Sequence, residues 1–268
     1  MGAESNKSAL AKLSLMIVIK IGGSAITDKG GFEKARKARI AEIAKVIAGA
    51  AEKGNEPLIL VHGAGSFGHP QVIKYKIADG VRTKKQEIGF AKTHASVLKL
   101  SYLLMREFEK NGMKVCLFSP IHFILQEKGK IKEFDTLSIM RALEKKITPL
   151  LHGDVVFDTV LGGSVCSGDK VVSHLGRKAK RVIFITEVNG ILDGKGKTIR
   201  KIGREDLEKL KGVIGKARGH DVTGGMKEKL REIMKIGKPT FIVGAGNLKG
   251  IENLILGKKE EKCTKIVS

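Results

Sequence analysis

The stretch PLILVHGAGSFGHP, residues 57–70, decides the fold class, because a short apolar run leads directly into a glycine-rich turn. Gly63, Gly65 and Gly68 have the G-x-G-x-x-G spacing of a dinucleotide-binding loop. Such a loop connects a strand to a helix in an α/β protein. Two histidines, one on each side, leave two other interpretations open: a loop for a different phosphate group, or a plain tight turn.

Buried-strand patterns alternate with amphipathic helical patterns along the chain. Apolar runs that predict strands cover residues 13–21, 57–62, 114–119, 147–158, 181–188, 239–245 and 261–268. Helical patterns cover residues 32–54, 85–112, 135–146, 167–180, 204–212 and 224–237. Residues 123–134 predict a hairpin that turns at Lys128–Gly129. This alternation predicts a three-layer α/β/α sandwich with a mainly parallel central sheet. We expect two lobes that share the sheet, residues 1–175 and 176–268.

The composition is strongly basic, with 50 Lys and Arg residues against 28 Asp and Glu and a net charge of +22. Such a surface can attract nucleic acid or small anionic metabolites. The lysines are spread over the whole chain, and aromatic residues, which stack on bases, make up only 4% of it. We therefore expect anionic metabolites as ligands and no specific nucleic acid.

Two further features concern the compartment. No run of 18 or more apolar residues occurs, so we expect no membrane-spanning helix. The three cysteines, Cys116, Cys166 and Cys263, have no metal-ligand spacing, and their odd number suits a reducing cytosol. The chain is therefore predicted to be cytoplasmic.

Three observations disfavour an NAD site in the opening stretch. The loop follows the second predicted strand, whereas the dinucleotide loop follows the first strand of its unit. His69 and Pro70 come directly after the last glycine, where the fingerprint requires close packing of the next helix. No predicted strand ends in Asp or Glu about 20 residues later. A phosphate loop that presents His69 to an anion is the better interpretation.

A second glycine-rich turn, KIGGSAITDK at residues 20–29, follows the first predicted strand. Lys20 can supply a point charge, and backbone N–H groups at Gly22, Gly23 and Ser24 can surround phosphate oxygens. An ordinary strand-to-helix turn, which also favours glycine, is the alternative. Because both turns follow strands of a parallel sheet, we expect them at its carboxyl edge, where ligands bind.

A third turn, DVTGGMKEKL at residues 221–230, is predicted to open a helix at Gly224–Gly225. Lys227 lies in the first turn of that helix, where a cation is unfavourable beside the positive end of the helix dipole. A bound anion would compensate for this conflict. A solvated surface lysine is the alternative interpretation.

Taken in order, these motifs resemble the amino acid kinase superfamily over nearly the whole chain: KIGGS, HGAGSFGHP, HGD, SGD, TEVNGI and DVTGGM. The ending GSFGHP resembles one branch of it, the archaeal type of isopentenyl phosphate kinase. The glycine motifs are superfamily-wide, and the histidine that closes the second loop is the specific element. The resemblance implies the amino acid kinase fold and the ATP-dependent phosphorylation of isopentenyl phosphate, with Mg²⁺ held mainly by phosphates and water and no protein ligand to it predicted. It also implies a homodimer.

Two alternatives stay open at this point. Another kinase of the superfamily would act on a phosphonate such as fosfomycin, or on a carboxylate. A protein of a different class would be a basic nucleic-acid-binding protein, whose binding would depend steeply on salt.

The resemblance implies a role for each matching residue. Lys20 would contact the transferring phosphoryl group, Lys29 would stabilise transition-state charge, and Asp169 would orient the lysines. Lys227 would act with them on the terminal phosphates of ATP. On the acceptor side the implied residues are Ala64, His69 and Gly168. The implied ATP-binding residues are Lys20, Gly22, Gly23, Ser24, Gly65, Thr186, Glu187, Gly190, Gly224, Gly225 and Lys227.

The chain departs from the family pattern at three of these motifs, one of which is TEVNG in place of the more usual TDVDG. Ala64 replaces a glycine that is frequent in the second loop, and Lys170 follows SGD where an acidic residue is often seen. A further expectation concerns the five-carbon tail of the acceptor. By analogy with the family, small and apolar residues of helix 85–112 would line its pocket, or else they pack in the core: Ala91, Ala95, Ser96 and Leu100.

Overall fold

The computed structural model describes residues 15–28, 30–193, 196–203, 205–206 and 224–267, with only the backbone described at residues 224–227. Its strands are β1 (Ile17–Ile21), β2 (Leu58–His62), β3 (Val115–Leu117), β4 (Ile124–Glu127), β5 (Lys130–Phe134), β6 (Thr148–His152), β7 (Asp154–Asp158), β8 (Gly162–Cys166), β9 (Arg181–Thr186), β10 (Lys201–Ile202), β11 (Thr240–Gly244) and β12 (Cys263–Ile266). Its helices are α1 (Gly23–Ile26), α2 (Lys37–Lys53), α3 (His69–Tyr75), α4 (Lys84–Lys110), α5 (Leu137–Glu144), α6 (Gly168–Gly176), α7 (Gly224–Met234) and α8 (Leu248–Ile255).

A large sheet crosses the described part of the chain in the strand order β10-β12-β11-β9-β1-β2-β6-β3. From β11 to β3 every neighbouring pair is parallel, and β12 runs antiparallel to β11 at the far side. The strand β1 therefore lies inside the sheet, with β9 on one side and β2 on the other. The predicted mainly parallel sheet is confirmed.

Both faces of the large sheet are covered, which explains why its strands read as continuous apolar runs. In β1 the side chain of Val18 joins the core on one face, while Ile17, Ile19 and Ile21 join the core on the other. The first core includes residues of α6 and α7, and the second packs α2, α4 and α8 against the sheet. The three-layer α/β/α sandwich is thus confirmed.

A smaller sheet with the order β5-β4-β7-β8 lies beside the large one. Its hairpin turns at the predicted position, and both Lys128 and Gly129 have positive φ angles, of 50° and 73°. Two-residue hairpin turns with left-handed residues match the natural twist of antiparallel strands. This sheet supplies β8, whose end leads through Ser167 into α6.

Several elements differ from the sequence-based expectation. Residues 162–166 form β8 and residues 248–255 form α8, although glycines in both segments weaken the usual strand and helix patterns. The short helix α3 begins at His69, directly after the glycine turn. The helix predicted at 204–212 falls mostly outside the described residues. Among the described helices, none has both the length and the apolar character needed to cross a bilayer.

The carboxylate of Asp158 holds the turns of the smaller sheet together. It accepts hydrogen bonds from four backbone amides and one hydroxyl, those of Lys128, Gly129, Val160, Leu161 and Ser164. Burial alone would raise the pKa of Asp158, but the backbone hydrogen bonds bring it below the value of a free carboxylate. The charged form therefore stabilises the fold at pH values above the unfolded-state pKa, about 4. This stabilisation is lost as the pH falls through the lower folded-state pKa.

We predict that Asp158→Asn lowers the free energy of unfolding at pH 7 by about 1.5–3 kcal/mol, because hydrogen bonds to a charged acceptor are lost. The difference from the wild type should shrink below about pH 4. Denaturant unfolding at pH 7 and pH 3 measures both effects. Asp135→Asn is the control, since exposed Asp135 accepts from the single amide of Leu137 and should cost about 1 kcal/mol or less. Equal losses in the two variants would contradict this role of Asp158.

Candidate active site

The first loop (residues 20–29) and the second loop (residues 61–70) lie side by side, because β1 and β2 are neighbouring parallel strands. Their backbones touch. A Cβ atom added to Gly23 would lie 2.5 Å from the amide nitrogen of Gly65, and one added to Gly63 would lie 2.7 Å from that of Gly23. These positions require glycine, since no side chain fits where two backbones approach so closely.

A pocket of about 810 Å³ opens above these loops, at the carboxyl edge of the large sheet. It brings together most of the residues selected from the sequence: Lys20, Gly23, Ser24, Ala64, Gly65, His69, Gly168, Asp169, Thr186 and Glu187. The structure therefore assembles the first loop, the second loop, the SGD motif and the TEV segment around one space.

Six of the selected residues are not placed in the pocket wall. The amide of Gly22 donates to the carbonyl of Ile185, and Gly190 packs against Thr264 with a φ of 136°. Gly224 and Gly225 form the first turn of α7. Lys29 lies outside the described residues, as does the side chain of Lys227.

The central charges of the pocket are two lysines and one carboxylate. Lys20 Nζ lies 2.9 Å from Asp169 Oδ1, and Lys229 Nζ lies 3.6 Å from Asp169 Oδ2. The three side chains are largely buried, at 7%, 12% and 15% exposure for Lys20, Lys229 and Asp169. One negative charge thus holds two positive ones at the end of β1, which leaves a net positive site.

Burial and the two lysines shift the pKa of the Asp169 carboxyl in opposite directions. Burial alone would raise the pKa of Asp169, but Lys20 and Lys229 lower it to about 2. Burial and the charge of Lys20 lower the pKa of Lys229 to about 8, although Asp169 opposes them. Asp169 is therefore ionised at neutral pH, and it keeps Lys229 mostly protonated in spite of a second cation nearby.

Lys229 is the residue that sequence reasoning missed. Of the two lysines in the predicted third motif, only Lys227 was selected, because its position near the helix start drew attention. The spacing of the buried residues Leu230, Ile233 and Ile236 was the available signal, since it marks the face of α7 turned to the protein. That face includes Lys229.

A second contact between α6 and α7 fixes this arrangement. Glu232 is 4% exposed and accepts a hydrogen bond of 2.6 Å from the hydroxyl of Ser173. Glu232 follows Lys229 by three residues, and Ser173 follows Asp169 by four, so both contacts lie on the same pair of helix faces. The Ser173–Glu232 contact therefore orients Lys229 toward Asp169.

His69 lies in the wall of the pocket, where α3 begins. Desolvation by the surrounding protein lowers the pKa of His69, the charge of Lys20 adds to this, and the carbonyl of Gly65 opposes it. The ring is therefore largely neutral at neutral pH in the free protein. A phosphate dianion beside the ring would favour its protonated form.

The other histidine of the opening stretch has a different environment. His62 is fully buried, its ring centroid lies 5.4 Å from that of His152, and its Nε2 lies 2.8 Å from the hydroxyl of Ser101. Burial and the neighbouring His152 lower the pKa of His62 to about 3, so the ring is neutral. This environment is that of a structural residue in the core.

A buried acidic group also lines the pocket. Asp154 has a fully buried side chain, with Oδ2 lying 2.7 Å from Nδ1 of His94. The hydrogen bond that Asp154 accepts from His94 raises the pKa of His94, and desolvation opposes this. A protonated His94 balances the charge of a carboxylate that would otherwise repel an anionic ligand.

The apolar part of the pocket differs from the expectation for helix 85–112. That helix, α4, does contribute, but its lining residues are Thr93 and Val97. Ala91 and Ala95 are exposed, while Ser96 and Leu100 are buried outside the lining. Apolar side chains from the second loop's helix and from the smaller sheet complete this wall: Val72, Ile73, Val155, Val165 and Cys166.

Lys170, the departure after SGD, serves the scaffold. Its Nζ donates to the carbonyls of Gly129 and Val165, at 2.9 and 3.2 Å. It thereby ties the start of α6 to the hairpin turn of the smaller sheet. The ammonium group of Lys170 thus contacts the smaller sheet and does not join Lys20 and Lys229 beside Asp169.

Asp169→Asn should lower the pKa of Lys229 below its value of about 8, because the opposing carboxylate is removed while burial and Lys20 remain. Carbon-13 NMR titration of reductively methylated protein measures this pKa, and Lys229→Arg assigns the resonance. Glu252→Gln, which disrupts surface pairs with Lys53 and Lys249, should leave it unchanged. A pKa of Lys229 that stays constant or rises in Asp169→Asn would refute the coupling.

A family model, sequence relatives and solved structures all match this chain to one protein family. Residues 15–242 match the model of the amino acid kinase family. The chain is 34% identical to the isopentenyl phosphate kinase of Methanothermobacter thermautotrophicus, over 91% of this chain and 96% of that protein. It is 29% identical to the isopentenyl phosphate kinase of Methanocaldococcus jannaschii, over 92% of this chain and 97% of that protein.

A solved structure of isopentenyl phosphate kinase has the same fold. It matches with a TM-score of 0.78 at 28% identity and covers 94% of this chain and 99% of that chain. The resemblance inferred from the order of the motifs is thereby confirmed, and the chain belongs to the amino acid kinase family.

Proposed function

We propose that this protein transfers the γ-phosphoryl group of ATP to isopentenyl phosphate. The observation that carries the proposal is the pocket itself, in which His69 on the second loop faces the lysine pair beside the first loop. The two relatives described above are isopentenyl phosphate kinases, and this chain matches each of them over nearly its whole length.

In the proposed reaction an oxygen of the acceptor phosphate attacks the γ-phosphorus of ATP. The new oxygen–phosphorus bond forms as the bond between the γ-phosphorus and the bridging oxygen of ADP breaks. The products are isopentenyl diphosphate and ADP. The acceptor phosphate is already ionised near neutral pH, so the transfer requires no general base.

The main demand on the protein is electrostatic, since two anionic groups must approach each other. Catalysis of phosphoryl transfer relies on positioning and on positive charge where negative charge develops. In the proposal Lys20 and Lys229 provide that charge, and Asp169 sets the distance between them. The glycine backbones of the two loops supply N–H groups to the phosphates.

Mg²⁺ is proposed to enter with ATP. Among the described residues, no group of three His, Cys, Asp or Glu side chains is arranged to hold a metal ion. The carboxylate of Asp169 is already engaged by two lysines. These residues fit a cation that is held by the nucleotide phosphates and water, as is common for Mg²⁺. Bound in this way, Mg²⁺ would neutralise phosphate charge.

The pocket wall of Thr93, Val97, Val155 and Val165 is proposed to receive the five-carbon tail. It is apolar and adjoins His69, so a tail attached to the bound phosphate would enter it. Gly168 and Ala64 retain their proposed places beside the acceptor phosphate.

The lobes, the assembly and the compartment also stay proposals. The strands β2, β3 and β6 come from residues 1–175, and β9 to β12 come from residues 176–268, so β1 joins an acceptor half to a nucleotide half. We propose a homodimer on the family resemblance alone, and a cytoplasmic location on the odd number of cysteines, which suits a reducing compartment.

A kinase assay with ATP over a panel of acceptors tests the proposed function. The panel contains isopentenyl phosphate, dimethylallyl phosphate, longer prenyl phosphates, fosfomycin, UMP and N-acetylglutamate. The highest kcat/KM should occur with isopentenyl phosphate. Preference for fosfomycin or for a carboxylate would overturn the acceptor assignment, and salt-dependent nucleic-acid binding without kinase activity would overturn the function as a whole.

Lys20→Ala and Lys229→Ala should each lower kcat by about 100-fold or more, because both charges act on the transferring group. The KM for isopentenyl phosphate should change less. Lys29→Ala should also lower kcat. Lys132→Ala removes an exposed lysine paired with Glu127 and should stay within about twofold of the wild type.

Steady-state kinetics of Lys227→Ala in the same series separates two roles. The role assigned to Lys227 from the sequence predicts a loss equal to that of Lys229→Ala. The ion pair of Lys229 with Asp169 predicts the larger loss for Lys229→Ala, which is the result we expect. Near-normal kcat in both Lys20→Ala and Lys229→Ala would refute the lysine-lined site.

His69→Ala should reduce kcat/KM for isopentenyl phosphate by about 10- to 100-fold, because a hydrogen bond to a charged group is lost. The affinity for ATP should be nearly unchanged. The dianion raises the pKa of His69 above its lowered free value. The benefit of the charged ring is therefore present at low pH and is lost as the pH rises through the bound-state pKa.

His69→Gln isolates this contribution, because glutamine donates a hydrogen bond but carries no charge. The ratio of wild-type to His69→Gln kcat/KM should fall between about pH 5.5 and pH 8.5. The ratio also cancels the titration of the acceptor phosphate itself. A ratio that is constant with pH would show that His69 acts only as a neutral donor.

A further inference from the structure

Thr27, at the end of α1 in the first loop, is fully buried in the wall of the pocket. Its hydroxyl donates a hydrogen bond of 2.8 Å to the carbonyl of Gly23, within the first loop. The same oxygen accepts a hydrogen bond of 3.0 Å from the amide of Ser66, within the second loop. One hydroxyl can donate once and accept twice, so both bonds form together.

This bridge lies where the two loops are closest. A Cβ atom added to Gly65 would lie 2.1 Å from the Thr27 oxygen, so the hydroxyl fills the space that a side chain at Gly65 would need. The contacts of Gly23 with Gly63 and Gly65 limit how near the loops can come. The Thr27 bridge limits how far apart they can move.

We propose that Thr27 is a positioning residue that fixes the distance between the donor-side and acceptor-side loops. The inference rests on the proposed function, in which the first loop holds ATP and the second loop holds the acceptor phosphate. Transfer between two bound phosphates depends on their separation, and a displacement of about 1 Å can cost about 100-fold in rate. The hydroxyl of Thr27 sets that separation without contact to the reacting atoms.

The geometry distinguishes this role from that of an ordinary core threonine. Both hydrogen-bond partners of Thr27 are backbone groups of glycine-rich loops, and neither partner belongs to a strand of the sheet. Without the hydroxyl, the carbonyl of Gly23 still accepts from the amide of Thr27 at 2.8 Å. The amide of Ser66 would lose this partner, so the second loop would lose its tie to α1, while the hydroxyl of Ser66 keeps its contact with the backbone of Lys34.

Thr27→Val tests the proposal, because valine keeps the branched shape and removes the hydroxyl. We expect kcat with isopentenyl phosphate and ATP to fall by about 10- to 100-fold. Calorimetric affinities for isopentenyl phosphate alone and for a non-hydrolysable ATP analogue alone should change by less than about threefold, because each loop stays intact. Thr27→Ser keeps the hydroxyl and should restore kcat to within about threefold of the wild type.

Thr240→Val is the matched control. Thr240 is also fully buried, but its hydroxyl donates to the carbonyl of Lys238 at the opposite end of the sheet. This variant should lose thermal stability and keep the wild-type kcat. The proposal is overturned if Thr27→Val retains kcat within about twofold, or if Thr27→Ser loses as much kcat as Thr27→Val.

Hydrogen exchange of the Ser66 amide tests the bridge independently of kinetics and of variant folding. The amide should be protected in the wild type and in Thr27→Ser, and should exchange faster in Thr27→Val. Rapid exchange of this amide in the wild type would overturn the bridge. A wild type that does not phosphorylate isopentenyl phosphate would instead overturn the proposed function, and the exchange measurement would still decide whether Thr27 joins the loops.

Discussion

The contact between the glycine backbones of the first and second loops is the constraint on which the site depends. Parallel strands β1 and β2 deliver the two loops to the same edge of the sheet. Only the absence of side chains at Gly23, Gly63 and Gly65 lets them touch. The two loop backbones are therefore adjacent before any ligand arrives, and under the proposed function the protein does not have to bring them together against the repulsion of two phosphates.

Two lysines add positive charge beside the backbones of the two loops. Two buried lysines so close together would repel each other, and the lowered pKa of Lys229 records that conflict. Asp169 resolves it from the N-terminal turn of α6, where a carboxylate is favourable to the helix dipole. The Ser173–Glu232 contact then keeps α6 and α7 in register. The electrostatics of the pocket thus follow from the packing of two helices on one face of the sheet.

The sequence was sufficient for the architecture because its signals are local. Apolar runs marked the strands, and glycine turns after β1 and β2 marked the ligand edge. The sequence was less informative about which residues of a helix face the pocket, because this depends on the rotation of the helix about its axis. Lys227 and Lys229 are two residues apart, and only the packing of α7 shows that Lys229 reaches Asp169. The same holds for α4, where Thr93 and Val97 line the pocket although Ala91 and Ala95 were expected there.

Lys20 belongs to β1, a strand inside the large sheet with neighbours on both sides. The cation proposed for catalysis is thus part of a fully buried strand, and opening that strand would remove the proposed charge and part of the core at once. The apolar walls of the pocket have another origin, since they come from α3, α4 and the smaller sheet. Under the proposed function, substitutions in those walls can reshape the space for the acceptor without touching the strand that carries the charge. The fold would in this way separate a fixed centre of phosphoryl transfer from a variable surface that recognises the acceptor.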